Sequence, residues 1–441
     1  YKTFNATNVT AANNDFSVAG DLSVTGVSNF TGAITATGGV VGDVTGDATG
    51  LSGTPDIAIR NLTGVAATFT GVLSYDDVTN VDSIGFATFR SGINVQGAGS
   101  TTTTLNVSGI ATFSNDADVN GLTVGRGLAA VATNTVVGTN ALDANTSGAR
   151  NVAIGYETLG ANTEGSDNTA IGYDALSSNT TANNNTAVGN DALRENTTGG
   201  NNTALGESTL TNNTTADRNT GVGYGALNAN TTGSRNTAVG NNSLLSNTTG
   251  LRNVAVGDGA LQLGTAVQYN TAIGYAALYN NTAGNNTAVG YAALLSNTSG
   301  SNNVALGSEA LDASTTASNG TAIGYQALTN STGSSNTGVG AEALLSNTSG
   351  YQNTALGSDA LRSNTTGNNN VAIGHQSAET NTEGDSNTAI GRRSLFSNTT
   401  GSNNAAVGYQ ALQDNTTANN NAALGYNALL SNTTGTQNTA V

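Results

Sequence analysis

The chain contains no cysteine, methionine or tryptophan and only 1 proline. Without cysteine it can form neither disulfides nor thiolate metal sites, and cysteine usage does not indicate whether the chain works in an oxidising or a reducing compartment. Charged residues make up 9% of the chain and aromatic residues 5%, whereas an ordinary globular domain is about 25% charged. No apolar run approaches the roughly 20 residues of a membrane span. The composition therefore argues against a conventional spherical core and against membrane insertion.

Basic residues are also scarce, since 12 Lys and Arg stand against 28 Asp and Glu, for a formal net charge of −16. Nucleic-acid binding needs clustered Lys and Arg that neutralise phosphates. Along the sequence the basic residues are scattered among the acidic ones, so we expect no nucleic-acid partner. The negative charge favours solubility and discourages random association.

Glycine is abundant, and across the C-terminal two-thirds of the chain it returns every 17 residues inside the block N-T-A-[VIL]-G-x-x-A-L-x-x-N-T-T-G-x-x. Two steps, Gly274 to Gly290 and Gly324 to Gly340, are 16 residues long. A fixed period of this length indicates a repeat array. Short β-compatible stretches alternate with Asn-Thr-Thr-Gly turns, which cannot prolong a helix. We therefore predict an all-β fold, a parallel β-solenoid (β-roll) of 18 coils of 17 residues over residues 131–441.

Three recurrent positions predict the interior of a coil. An asparagine four residues before the glycine predicts an amide ladder, and a Val, Ile or Leu just before the glycine and a Leu four residues after it predict two buried apolar ladders. Representative ladder residues are Asn151, Asn168, Asn236, Val289, Leu294 and Leu311. The position after the glycine varies widely, which indicates a solvent face. Its tyrosines are candidate contacts for a sugar or a host surface: Tyr156, Tyr173, Tyr224, Tyr275, Tyr291, Tyr325, Tyr409 and Tyr426.

Two apolar stripes are more than one narrow coil can hide. A stripe left outside would form a patch of several hundred Å², on the order of the largest that soluble monomers expose or beyond it. We therefore expect self-association along the length of the chain, as a parallel homotrimer in which identical coils meet at identical heights. The sequence leaves open which stripe faces the partner chains. The leucine stripe, with Leu294 and Leu311, is the candidate seam.

Residues 1–130 lack the 17-residue period. Phenylalanine-containing motifs at 26–30, 85–89 and 109–113 are typical of short strands separated by turns. The Gly-rich tract 39–53 has too few side chains for a core of its own. We predict a β-rich stalk or connector for this region.

The sequence predicts no enzyme and no catalytic, cofactor or metal site. His375 is the sole histidine, at a solvent-facing position, and cannot build a multi-histidine metal site or support a catalytic triad alone. Acidic residues such as Asp174 and Glu207 recur irregularly, without the Asp of calcium-binding rolls or the set carboxylate pair of a glycosidase cleft. The Asn-x-Thr sequons, such as Asn145-Thr146-Ser147, are interpreted as turns with an asparagine ladder. Threonine arrays that order ice-like water are a further alternative, which the varied, partly charged positions disfavour.

The Asn-x-Ala-[Val/Ile]-Gly-x-x-Ala block over about residues 134–441 resembles the head repeats of trimeric autotransporter adhesins, whose chains form left-handed parallel β-rolls that pack in threes. Segments 76–95, 105–113 and 121–127 are similar to tail-fibre-like structural proteins of marine cyanophages, and this resemblance is the more distinctive. It implies a homotrimeric shaft of a virion appendage that presents a host-recognition tip, with other virion proteins and a host surface polysaccharide or receptor as partners. The alternative is a bacterial surface adhesin whose solenoid face binds a host ligand.

Overall fold

A computed structural model of the chain describes residues 117–119, 122–127, 129 and 131–441. The chain divides into two compact units, Tyr1–Thr104 and Leu105–Val441, and every described residue belongs to the second. The phenylalanine-containing motifs and the Gly-rich tract of the predicted stalk lie outside the described residues. The domain boundary at residue 130 stays a prediction, although a hairpin upstream of it shares the compact unit of the repeats.

The described part of the chain forms one sheet of 21 strands and contains no α-helix. Strands β1 (Ala117–Val119) and β2 (Leu122–Gly125) form an antiparallel hairpin, and β2 pairs antiparallel with β3 (Thr135–Val137), so that the hairpin covers the first edge of the array. From β3 onward each strand pairs in parallel with the next. The remaining strands are β4 (Val152–Ile154), β5 (Thr169–Ile171), β6 (Thr186–Val188), β7 (Thr203–Leu205), β8 (Thr220–Val222), β9 (Thr237–Val239), β10 (Val254–Val256), β11 (Thr271–Ile273), β12 (Thr287–Val289), β13 (Val304–Leu306), β14 (Thr321–Ile323), β15 (Thr337–Val339), β16 (Thr354–Leu356), β17 (Val371–Ile373), β18 (Thr388–Ile390), β19 (Ala405–Val407), β20 (Ala422–Leu424) and β21 (Thr439–Ala440).

One coil separates each strand from its neighbour, and the pairing is in register. Ala238 lies opposite Ala255, and the residues on either side match in the same way. The 16-residue coil between β11 and β12 keeps this register, with Ala272 opposite Ala288, because the missing residue is taken out of the turn between strands. Neighbouring strands in a sheet are about 4.8 Å apart, which sets the rise per coil. The predicted parallel β-solenoid of 17-residue coils is confirmed.

Each three-residue strand places one side chain in the core. The middle residue, such as Ala238, is fully buried, and the residues before and after it point outward because successive side chains of a strand alternate between faces. Val289, which the sequence places in a buried ladder, is half-exposed, and Leu306 in the next coil is 45% exposed. The residue before the glycine therefore lies on the outer face of the sheet, contrary to the sequence prediction.

The leucine column, which contains the Leu four residues after each repeated glycine, fills the core opposite the strand alanines. Leu294 and Leu311 are 0% and 1% exposed, and their φ angles of +53° lie in the left-handed region. That conformation costs an L-residue about 1–2 kcal/mol, which burial of the side chain, worth about 1.5–3 kcal/mol, offsets. The leucine column is thus the core of the single chain, and it is not available as a seam between chains.

The repeated glycine is required where successive coils approach each other. At Gly223 φ is +122°, and a Cβ atom would lie 2.6 Å from the carbonyl oxygen of Gly240 in the next coil. No side chain fits that distance. The glycine period of the sequence is therefore a steric consequence of coil stacking.

Candidate functional surfaces

A buried asparagine precedes nearly every strand, and these residues form the strand asparagine column, which includes Asn151, Asn168 and Asn236. Asn236 is fully buried. Its Nδ2 donates to the carbonyl oxygen of Gly250 at 2.8 Å, and its Oδ1 accepts from both the backbone N and the Nδ2 of Asn253 at 3.0 Å. Each amide thereby ties a turn of its own coil to the following coil.

A second amide column begins each Asn-Thr-Thr turn, and we call it the turn asparagine column. The Nδ2 of Asn179 donates to the Oδ1 of Asn162 at 2.8 Å and to the carbonyl oxygen of Ala182 at 3.2 Å. That carbonyl also accepts from the Nδ2 of Asn168 at 2.9 Å, so the two columns share an acceptor. Asn145 and Asn179 are 0% exposed. The sequons therefore have the turn-and-ladder geometry that the sequence predicts.

The turn asparagine column is interrupted at Gly264. The Oδ1 of Asn247, in the coil before it, has no hydrogen-bond partner within the described region. A Cβ on Gly264 would lie 2.9 Å from both Cγ atoms of Val267, which is 2% exposed and fills the vacated space. Val267 thus fills the space of the missing amide at this coil, while the amide oxygen of Asn247 stays unpaired among the described residues.

The residue before each repeated glycine forms an apolar stripe on the outer face of the sheet, which we call the strand-end column. None of its 18 members is buried, and Leu424 reaches 54% exposure. At roughly 60 Å² for each residue the stripe covers on the order of 1,000 Å², more than the largest patch of a typical monomer. The members are Val137, Ile154, Ile171, Val188, Leu205, Val222, Val239, Val256, Ile273, Val289, Leu306, Ile323, Val339, Leu356, Ile373, Ile390, Val407 and Leu424.

The candidate contact tyrosines lie on the surface, at the position that the sequence predicts to face solvent. Seven of the eight are 42–74% exposed, and Tyr409 is half-buried. Rings in consecutive coils stack with centroid separations of 5.2–5.5 Å, in the pairs Tyr156–Tyr173, Tyr275–Tyr291 and Tyr409–Tyr426. Tyr224 and Tyr325 stand singly. Within a pair each ring covers one face of the other, so less flat aromatic surface is open to a ligand than eight separate rings would offer.

Three arginines that appear scattered in the sequence share one structural column. The residue just before each strand asparagine lies at an exposed turn, and we call these residues the outer-turn column. Arg218, Arg235 and Arg252 occupy it in consecutive coils, all exposed, with φ of +57°, +63° and +59°. Arg252 donates from Nη1 to the hydroxyl of Tyr269, the next residue of the column, at 2.6 Å, and its guanidinium lies 5.4 Å from the centre of that ring. Sequence reasoning missed this set, although its spacing of 17 residues was a visible signal.

Elsewhere in the outer-turn column, opposite charges in consecutive coils pair. The Nε and Nη2 of Arg150 donate to the two carboxylate oxygens of Asp167 at 2.6 and 2.7 Å. The hydrogen bond from Arg150 lowers the pKa of the Asp167 carboxyl, and its counterpart raises the pKa of Arg150. An arginine in this column therefore reaches the side chain of the next coil.

Three carboxyl groups of the described region have raised pKa values. Burial is the largest cause of the raised pKa of Asp174, Asp312 and Glu379, and repulsion from acidic neighbours in the same or adjoining coils adds to it. Each of these groups also has a carboxylate oxygen without a hydrogen-bond partner among the described residues. Their negative charge is therefore less stable in the folded chain than in water.

Within the described ranges no group of three or more His, Asp or Glu side chains could hold a metal ion, and no helix there is long and apolar enough to cross a membrane. His375 lies on the surface, with its Nε2 3.8 Å from a carboxylate oxygen of Asp359. A depression of about 270 Å³ is lined by Asp143, Glu157 and Ser177 among others, with no histidine at its wall.

The chain matches no protein-family model, no curated protein and no solved structure. The resemblances to adhesin heads and to phage tail-fibre proteins stay predictions.

Proposed function

We propose that the chain is the shaft of a fibrous appendage, a homotrimer in which three solenoids lie side by side with their strand-end columns facing one another. The single observation that carries this proposal is the apolar stripe itself. It runs without a charged residue through all 18 coils, although the chain carries a net charge of −16. A stripe of this size is stable in water when another surface covers it.

Another copy of the same chain is the partner that fits this stripe. Identical solenoids have the same rise per coil, so parallel copies bring the same apolar residue to the same height in every coil. On the order of 1,000 Å² of apolar surface per chain is comparable to the roughly 800 Å² that each partner contributes to a stable interface. The leucine column, which the sequence offered as the candidate seam, is buried, so the proposed interface lies on the outer side of the sheet.

The role we infer for this assembly is structural. A regular stack of near-identical coils supports a spacer. The N-terminal segments similar to cyanophage tail-fibre proteins favour a virion appendage that holds a host-recognition tip away from the particle. Other virion proteins would then be its attachment partners. Labelling the chain on intact particles and imaging what the rod is attached to tests this location.

The second candidate function is a bacterial surface adhesin whose solenoid binds a host ligand directly. The exposed tyrosine pairs favour it, because amphipathic rings on a rigid scaffold are effective contact residues. The same imaging decides between the two, since an adhesin would be found on bacterial cells and not on virions.

Aspartate substitutions in the strand-end column test the trimer. Val289→Asp with Leu306→Asp should leave each chain folded, because both side chains are partly exposed. At a trimer interface these carboxylates would be buried without partners, at several kcal/mol for each group. Sedimentation should therefore show monomers for this variant and trimers for the parent.

The matched control is Tyr291→Asp with Ser308→Asp, two residues further along the same coils, which should sediment as the trimer. Aspartate at Leu294 and Leu311 should instead unfold the surrounding coils, with loss of β-structure by circular dichroism, since those side chains are the core. A parent that sediments as a monomer, or a strand-end variant that stays trimeric, contradicts the proposed assembly.

A further inference from the structure

We propose that the arginine run, Arg218, Arg235 and Arg252, together with Tyr269, binds an acidic polysaccharide that lies along the solenoid axis. The chain holds 12 basic residues against 28 acidic ones, yet the fold places three of the basic residues in consecutive coils of one exposed column. None of the three forms an ion pair with a described carboxylate.

Like charges in consecutive coils destabilise the array. Neighbouring residues of a column are separated by about 4.8 Å along the axis, and like charges opposite each other on adjacent strands repel. The Arg150–Asp167 pair shows that the same column can alternate charge and gain an ion pair. The arginine run places like charges in consecutive coils without an ion pair, and an anion bound across it would remove the repulsion.

The donors of the run are available to a ligand. The carboxylate closest in the chain is Asp217, whose Oδ1 accepts from the backbone N of Gly200 at 3.1 Å and which lies outside ion-pair distance of the arginines. Arg252 is held by the Tyr269 hydroxyl through one nitrogen. A guanidinium binds carboxylate or sulfate groups through two parallel hydrogen bonds. The run therefore offers a short row of sites for such groups.

The neighbours of the run favour a sugar polymer. Exposed amides of Asn184 and Asn201 precede it in the outer-turn column and can bind hydroxyl groups, and the 46%-exposed ring of Tyr269 follows it and can pack on a sugar ring. From Asn184 to Tyr269 this strip is roughly 24 Å long, at about 4.8 Å per coil. A polymer of acidic sugars has the hydroxyl groups, acidic groups and ring faces that the amides, arginines and tyrosine of this strip can bind.

Nucleic acid fits the same strip less well. Each strand of a nucleic-acid duplex carries one charge per roughly 3.4 Å, which is denser than the coil spacing of about 4.8 Å, so its phosphates do not match the arginines one for one. The inference rests on the proposed function only in that a fibre outside a cell meets surface polysaccharides. It also leaves the strand-end column free for the partner chains, because the two columns lie at different positions of the coil.

Calorimetric titration with dextran sulfate and with polygalacturonate tests the proposal, with neutral dextran and a single-stranded oligothymidylate for comparison. We expect binding of the sulfate polymer, the carboxylate polymer or both, with the two arms showing which acidic group is preferred, and none of dextran. For three contacts the logarithm of the binding constant should fall against the logarithm of salt concentration with a slope of about 2.

Arg235→Asp is the decisive variant. It makes the run alternate in charge as Arg150 and Asp167 do, and Asp167 adopts the same backbone conformation with φ of +61°, so the fold should be kept or stabilised. Binding should fall by at least about tenfold, since two guanidiniums become paired and a repelling charge is added. Arg150→Gln is the matched control, because it removes a charge from the same column at a position already paired, and its affinity should equal that of the parent.

Several results overturn the proposal: no binding of either acidic polymer at low salt, equal binding by Arg235→Asp, or tighter binding of the oligothymidylate. Loss of the oligomer in Arg235→Asp by sedimentation also overturns it, because the run would then contact another copy. A monomeric parent that still binds, or a strand-end variant that stays trimeric and still binds, refutes the proposed assembly alone. Loss of trimers in the strand-end variant with polysaccharide binding retained supports both proposals.

Discussion

Replacing Asn236 with leucine should weaken the solenoid over the adjoining coils and leave distant coils intact. Leucine has the same number and branching of side-chain heavy atoms as asparagine but bulkier methyl groups, so the substitution removes hydrogen bonds without leaving a cavity. Three bonds are lost, one from the Nδ2 of Asn236 to Gly250 and two from Asn253 to the Oδ1 of Asn236. All of these groups are buried.

Two of the three losses are partial. The carbonyl oxygen of Gly250 still accepts from the Nδ2 of Asn247 at 3.1 Å, and the Nδ2 of Asn253 still donates to the carbonyl oxygen of Val267 at 2.7 Å. The backbone N–H of Asn253 is left without an acceptor, which costs about 1–3 kcal/mol, and each shared bond contributes about 1 kcal/mol more. The expected loss in the free energy of unfolding of these coils is therefore about 3–5 kcal/mol.

Hydrogen exchange measures this loss coil by coil. In a repeat array each coil contacts only its neighbours, so peptides within 237–256 should exchange roughly 100- to 3,000-fold faster, at tenfold per 1.4 kcal/mol, while those after β17 stay protected. Asn241→Leu is the matched control, because Asn241 is exposed in the same coil and bonds only weakly to Asp258 at 3.4 Å. Equal protection in the two variants would refute the buried amide ladder.

Acidification from pH 7 to about 4 should stabilise the chain against urea. The raised pKa values of Asp174, Asp312 and Glu379 make the folded state bind protons more readily than the unfolded state. This stabilisation is complete below the ordinary carboxyl pKa of about 4 and is lost as the pH rises through each raised value. Replacing the three carboxyl groups with amides should flatten the pH dependence of the urea midpoint. A urea midpoint of the parent that falls on acidification from pH 7 contradicts the raised pKa values. Gly223→Ala should lower the free energy of unfolding by about 2–4 kcal/mol, because the left-handed backbone and the close carbonyl oxygen of Gly240 both oppose a Cβ atom. Gly200→Ala, whose Cβ would lie 3.1 Å from its nearest neighbour, should cost under about 1 kcal/mol, and equal urea midpoints for the two alanines would disprove the steric role of the repeated glycine.

The stacking of the coils could be predicted from the sequence because an in-register solenoid places identical positions in contact. A polar residue that recurs in every coil, such as Asn236, bonds the same residue above and below, and a recurrent Leu294 packs on its own copies. The position of Val289 could not be predicted in the same way. Its column is as uniformly apolar as the leucine column, but a three-residue strand points only one side chain inward. Alanine occupies that inward position, and its small side chain gives a weak hydrophobic signal.

The arginine run escaped prediction because charge was compared along the chain instead of between coils. Arg218, Arg235 and Arg252 are far apart in sequence and adjacent in space, and the tyrosine pairs arise in the same way. Interactions in a solenoid lie between residues one period apart. Charge patterns become physical neighbours only when the sequence is aligned on its 17-residue repeat.

The same alignment separates what the fold requires from what it permits. Interior columns are nearly uniform, and at Gly264, where an asparagine is missing, Val267 fills the space. Outer columns are free of that constraint, so their composition is decided by interactions with solvent or with a partner. Asp167 and Asn201 adopt at the outer turn the backbone conformation of Arg235, with φ of +61° and +60°, and either residue type at that position would remove the repulsion between arginines. Stability of the solenoid therefore does not explain three consecutive arginines, whereas an acidic ligand would.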